Sequence, residues 1–252
     1  MKTEPIRATD TWRLSSSHMP PPGKLPCDSC SGRSLGICRP LDDQRLAHLL
    51  SIGGRRHWTR RETIYRSDEP VRAFYKITKG VVAESRSLDD GRRQIVGIRT
   101  VGDLCGYPAH RGRHLFTAEA LTEVEACAFD AQKFDALVAR HVDLACALAE
   151  DVSEKLRRAT QNMTVIGQLR STERVAHFLV ELHALYAARH VGTHPLTLHL
   201  TRQEIADYLG LTLETVSRSF GRLRDMHVIA LVGTDAVAIL DEHKLSGIAK
   251  VI

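Results

Sequence analysis

The chain is 252 residues long, 43% hydrophobic and 26% charged, with a formal net charge of +5. That length allows two compact domains, each with its own core. No run approaches the roughly 20 apolar residues that cross a bilayer as a helix, and no P-loop, nucleophile elbow, HExxH pair or paired-carboxylate pattern marks an enzyme.

Residues 1–26 lack the apolar core of a signal peptide and read as a flexible leader. The expected compartment is the cytoplasm, where grouped cysteines more often hold a metal or do redox chemistry than form structural disulfides. Residues 1–61 carry 11 Lys/Arg against 5 Asp/Glu, so the positive surplus sits at this end. A basic chain hints at an anionic partner such as nucleic acid. Since the rest of the chain is close to neutral, DNA binding has to rest on a specific element.

Cys27-x2-Cys30-x7-Cys38 follows, in a loop made mostly of Ser and Gly. It offers three soft ligands, one short of the four that Zn²⁺ or an iron–sulfur cluster takes. Cys105, Cys127 and Cys146 are the candidates for the fourth. Cys146 stands in an apolar helical stretch and reads as a buried, inert thiol; Cys105, after Gly-Asp-Leu at a strand end, stays open.

From 62 to about 130 the chain reads as short strands: "ETIYRSDEP", "RAFYKITKG", "VVAESRSLDDGRRQIVGIRTVGDL" and "HLFTAEALTEVEACAFD". Asp90-Gly91 is a hairpin turn, and this spacing suggests a small antiparallel barrel or roll. The texture then changes. Proline is absent from Ala109 to His194, and glycine from Arg113 to Ile166. Leu148, Val152, Leu156, Ala159, Met163 and Ile166 recur on one helical face, predicting a helix over 141–166. A long apolar stripe of this kind pairs naturally with a copy of itself, because a symmetric dimer buries the same patch twice.

A further domain is expected over 168–252. "LTRQEIADYLGLTLETVSRSFGRLRDMHVI" carries its signal. Thr201 and Glu204 form a capping box that starts a short helix. Gly210 permits a tight turn and Thr212 caps a second helix. Two short helices joined this way are the helix-turn-helix pattern. On the second, Val216, Phe220 and Leu223 share the inner face, with Glu214, Ser217, Arg218 and Gly221 opposite. Arg218 can grip a guanine bidentately, Glu214 can accept from a cytosine amino group, and Ser217 can do either. Phosphate contacts are assigned to Thr201, Arg202, Gln203, Thr212 and Arg222. "VIALVGTDAVAIL" then predicts a hairpin, the wing of a winged helix.

A β-roll, a long helix and a C-terminal winged helix-turn-helix, in that order, resemble the Crp/Fnr superfamily of bacterial transcription factors. The resemblance covers the chain from about residue 27, and "LTRQEIADYLGLTLETVSR" is its most specific motif. It implies an α+β chain: an antiparallel β-roll of the cupin-like, cyclic-nucleotide-binding type over 27–140, a dimerisation helix over 141–167, and the DNA-binding domain. It further implies that Glu214, Ser217 and Arg218 read an inverted repeat of the TTGAT-N4-ATCAA type as a homodimer, and that the DNA-bound protein works with RNA polymerase. The arginine–serine pair that grips cyclic AMP in one branch is replaced by His114-Leu115-Phe116-Thr117, which argues against a cyclic nucleotide.

By the same resemblance, oxygen sensors of the Fnr type, the FnrN-like ones in particular, hold a [4Fe–4S] cluster on three N-terminal cysteines and a fourth in a segment like "ALTEVEACAFDAQKFDAL". That assigns Cys27, Cys30, Cys38 and Cys127, with Cys105 and Cys146 as extras. Arg33 and Arg39 are expected to offset the cluster's charge. Acidic residues on the paired helices (Glu150, Asp151 and Glu154) are expected to repel once the cluster is lost. The other reading of the same cysteines is a Crp/Fnr-type regulator with a zinc or thiol-redox site, or with no cluster.

Overall fold

The computed structural model describes residues 27–107, 111–189 and 194–250. The expected leader, 1–26, lies outside the described residues.

After the cysteine loop, Asp42 caps α1 (Asp43–Ser51) by accepting from the Arg45 amide. Strands β1 (Gly53–Trp58), β2 (Thr63–Tyr65), β3 (Ala73–Lys79), β4 (Val82–Ser87), β5 (Arg93–Arg99), β6 (Leu104–Cys105), β7 (Thr117–Ala120) and β8 (Val124–Asp130) build the roll. They form two antiparallel four-stranded sheets, ordered β1-β8-β3-β6 and β2-β7-β4-β5. Gly91, at φ +86°, turns the β4–β5 hairpin where a turn was expected. Neither α1 nor β1 was foreseen. β1 is an Arg- and Gly-rich strand, mostly exposed, so it shows no apolar alternation.

Alternation along β3 separates two cores. Tyr75 and Ile77 face the space between the sheets, with Ile64, Val82, Cys105 and Ala126. Phe74 faces outward, into a second core made with Cys27, Ile37, Cys38, Leu41, Phe129, Phe134 and Leu144. Lys76 shares that outward side by the period of two.

Helix α2 (Ala131–Val138) leads into α3 (Val142–Gln168), the long helix expected over 141–166. Its first turns pack under the cysteine loop: Leu144 and Leu148 join the outward core. Further along, Leu156 and Met163 stay 66% and 73% exposed. Leu148 is thus a correction to the predicted stripe. It is spent on the chain's own core, and the free face begins after it.

Helix α4 (Ser171–Ala188) turns back and is followed by β9 (Leu196–Thr197), α5 (Arg202–Leu209), α6 (Leu213–Asp225), β10 (Ile229–Val232), β11 (Ala236–Ile239) and α7 (Glu242–Ala249), packing chiefly on α6 and α7. The wing is the β10–β11 hairpin, turned at Gly233 (φ +62°) and extended by β9. No described helix is long and apolar enough to cross a membrane.

Candidate functional site

The thiol site is built by a loop folding onto one sheet face. Successive turns carry the loop: the Cys30 amide donates to Cys27 O (3.1 Å), the Arg33 amide to Cys30 O (2.9 Å), and the Leu41 amide to Cys38 O (3.2 Å). The Arg33 guanidinium closes it by donating to the carbonyls of Cys38 and Leu41, both at 2.6 Å. Gly36 takes φ +55°, and a Cβ there would stand 2.2 Å from the Gly102 carbonyl, so only glycine lets the loop lie this close to the roll.

Cys127 comes to the loop from β8. Its register partner on β3 is Lys76, directly opposite, so both side chains share the outer face of the sheet. Burial pushes the Cys127 thiol up to about 11, with Cys38, Cys30 and Cys27 pushing it in the same direction. Burial also raises Cys27 and Cys38, and each feels other thiols of the set. The four thiols expected as ligands are therefore brought together.

The two others are not. Cys105 pairs with Tyr75 in the β3–β6 ladder and faces the inter-sheet core, where burial holds its thiol well above the ordinary value. Register excludes it. Cys146 is exposed on α3, a correction to the buried thiol expected from its apolar neighbours.

Charges placed around this site by sequence reasoning have other partners. Arg39 pairs with Glu150 of α3 at 2.6 Å, both well exposed. Asp151 pairs with Lys155 at 2.8 Å. Hydrogen bonds from Arg157, and then from Arg158, hold the Glu154 carboxyl at about 2 despite some burial. Glu150, Asp151 and Glu154, the three acidic residues expected to repel across paired helices, thus each have a partner within the chain. Sequence reasoning missed Lys76, because a lysine in a strand gives no sign of which sheet face it occupies.

Inside the roll the charged groups also satisfy one another. Arg99 donates to Glu84 at 2.8 Å, Tyr65 donates its hydroxyl to Glu84 at 2.7 Å, and His114 stacks on Tyr65 at 4.0 Å between ring centroids.

The helix-turn-helix has the expected local construction. The Thr201 hydroxyl accepts from the Glu204 amide and the Glu204 carboxylate accepts from the Thr201 amide, a complete capping box. Gly210 sits at φ +62°, and Thr212 caps α6 by accepting from the Thr215 amide. Val216, Phe220 and Leu223 are buried, while Glu214, Ser217 and Arg218 are exposed on the opposite face. A Cβ at Gly221 would meet nothing within 4 Å, so that face offers an open approach.

Of the residues assigned to phosphate, Thr201, Gln203, Thr212 and Arg222 are exposed. Arg202 is not free: its guanidinium carbon lies 3.4 Å from the centre of the Phe220 ring, and burial lowers its pKa. Its position secures α5 on α6 before any partner arrives.

The C-terminal half is docked on the roll. Glu204, only 4% exposed, receives the Arg61 guanidinium of the loop between β1 and β2. Gln94 donates to the Tyr208 carbonyl at 3.1 Å, and Arg189 pairs with Asp103 at 2.9 Å.

Comparison with known proteins agrees with this architecture. Residues 173–248 match the Crp-like helix-turn-helix domain, and residues 55–141 match the cyclic nucleotide-binding domain. The chain is 33% identical to the nitrogen fixation regulation protein FixK of Bradyrhizobium diazoefficiens, over 88% of this chain and 93% of that protein. It is 31% identical to the transcriptional activator protein FnrL of Cereibacter sphaeroides, over 87% and 90%. Among solved structures, FixK2 of Bradyrhizobium japonicum superposes with a TM-score of 0.72 at 28% identity, covering 80% of this chain and 99% of that one.

Proposed function

The chain belongs to the Crp/Fnr family of transcription regulators, and on that premise we propose that it is an oxygen-responsive member that holds a [4Fe–4S] cluster on Cys27, Cys30, Cys38 and Cys127. Regulators of this family bind DNA and act as dimers, and none of this requires enzyme chemistry.

The observation that carries the reading is that the loop bearing Cys27, Cys30 and Cys38 lies against the sheet face that carries Cys127. When bound, the cluster supplies an oxygen-labile link between loop and roll.

This chain's own residues would carry the signal outward. The loop that bears Cys38 packs against α3 through Ile37 and Leu41 on Leu144 and Leu148, and through the Arg39–Glu150 pair. A loop tied down at Cys127 holds the start of α3 in place, and so sets the angle at which Val152, Leu156, Ala159 and Met163 meet a second copy. Ile166 stands beside Gly210 of the turn, at the foot of the same helix. Loss of the tie frees the loop and shifts the population toward chains that no longer pair. A dimer presents two α6 helices to two half-sites about one turn of DNA apart, with Glu214, Ser217 and Arg218 on the bases and Thr201, Gln203, Thr212 and Arg222 toward phosphate. We divide the chain at 27–140, 141–167 and 168–252 on this account. RNA polymerase is the partner at the promoter, and low-oxygen metabolism is the expected target class; both follow from family likeness.

The test is purification without oxygen, with iron and sulfide counted per chain. Visible absorption and binding to a TTGAT-N4-ATCAA duplex are then followed as air is admitted. About four irons and four sulfides, a brown colour bleached by air and DNA binding lost with it are expected. A colourless, iron-free protein that binds this duplex equally in air would remove the oxygen-sensing half and leave the regulator.

A further inference from the structure

The face that gathers the thiols also buries a cation. Lys76 is 1% exposed, and its ammonium donates to the Gly32 carbonyl at 2.5 Å. It takes part in none of the salt bridges found among the described residues. The other buried cation of the roll, Arg99, is matched by Glu84. A buried, unmatched ammonium is costly, and such groups persist where an anion answers them.

Among the described residues, thiols stand on the same side of the sheet as Lys76 and can become anionic. Cys127 is the cross-strand partner of Lys76. Cys27 and Cys38 of the loop belong to the core on the side of the sheet to which Lys76 points, and Cys127 packs against that core. Lys76 also meets the loop backbone: a Cβ on Gly32 would stand 2.9 Å from the nitrogen, so the loop lies close over the ammonium here. Four thiolates on a [4Fe–4S]²⁺ core carry a net −2. Lys76 supplies one positive charge from the sheet, and Arg33, which also acts on Cys27 and Cys38, supplies another from the loop.

We propose that Lys76 is the built-in counter-cation of the cluster site, a positioning residue that draws the loop onto the sheet through Gly32 and offsets the charge of the tetrathiolate group. This rests on the cluster reading above. It moves the charge-balancing role from the exposed Arg39, which is engaged by α3, to a residue buried on the ligand face.

The proposal makes the same substitution act in opposite directions on two forms of the protein. Lys76→Met keeps the length of the side chain and removes the charge. In protein stripped of iron, losing an unmatched buried cation should raise the thermal midpoint. In protein carrying the cluster, it should lower the midpoint potential and speed release of iron to a chelator without oxygen by about tenfold, the ratio expected for one charge-assisted hydrogen bond. Lys76→Gln retains a donor for Gly32 but no charge, so it should keep the negative shift in potential while recovering part of the lifetime.

Wild-type protein is assayed first, and iron-free wild type would overturn the cluster reading itself. If wild type holds iron, the proposal fails on either of two results. One is a Lys76→Met protein with unchanged potential and iron lifetime. The other is a fall in stability in both the loaded and the stripped forms, which a purely structural role would produce. Should Lys76→Met not fold, the potential and chelation rate of Lys76→Gln decide.

Discussion

The turn at Gly210 and the loop at Gly36 both depend on a glycine at positive φ, yet they are built by different rules. In the helix-turn-helix every decision is made within a few residues: Thr201 with Glu204, Gly210 alone, Thr212 with Thr215. In the thiol site each decision is made across the fold. Gly36 is needed because the Gly102 carbonyl lies against it, and Cys127 is a candidate ligand because its strand pairs with Lys76 and not with a neighbour one residue along. A locally encoded site keeps its shape when distant parts change. A site assembled from separate segments changes with its surroundings.

The sharpest way to break this comparison is to remove one assembled ligand. Cys127→Ser should lose essentially all bound iron, while Cys105→Ser, facing the other side of the sheet, should retain it; equal iron in the two proteins would void the argument from register. The α6 helix should be untouched by either change.

Next in size is Arg218→Ala. Losing one bidentate base contact should weaken binding to the inverted repeat by about 1–3 kcal/mol, with iron content and oxygen response unaltered. A change in iron content here would mean that the two regions are less separable than their construction suggests.

The two regions meet at Glu204, which gives a third test. Burial pushes this carboxyl up, but hydrogen bonds from Arg61 and Thr201 overcome burial and leave it below the ordinary range. A depressed carboxyl contributes stability above its unfolded pKa and loses it as pH falls through the folded value. Arg61→Ala should therefore lower the melting temperature at neutral pH and flatten its decline in acid. Thr201→Ala, which removes the cap and one hydrogen bond to the Glu204 carboxylate, should cost about 1 kcal/mol and flatten the acid decline less than Arg61→Ala. Melting curves from pH 7 down to pH 3 would read both, and an unchanged acid profile in Arg61→Ala would deny the contact its role.

Smallest of all is Arg39→Ala. Its pair with Glu150 is exposed at both ends, and such pairs are worth about 0–1 kcal/mol. Iron release measured beside Lys76→Met should barely move; a larger effect from Arg39 would return the counter-charge to the surface of the loop.

Much of this was legible from the chain. The capping box, the αL glycine, the wing hairpin at Gly233 and the long helix all follow from short-range patterns, and the structure places each where its residues stand. The strand β1 was missed because its exposed arginines carry no alternation. Leu148 was read with the free stripe because helical period assigns a face but not an occupant, and here the cysteine loop occupies it. Arg202 sat at a helix start with a positive charge, and nothing nearby in sequence announced that Phe220 lies under it.

By itself the sequence determined the helix-turn-helix, the order of roll, helix and wing, and the three clustered thiols, since caps, turns and periodicity act over one to four residues. Only the tertiary structure decided which later cysteine shares a face with them and that a lysine is buried there with them. It also decided that α3's acidic groups are already paired. Each of these depends on strand register or on packing between segments far apart in the chain. A shift of one residue in β8 would have turned Cys127 away from Lys76 and toward the other core.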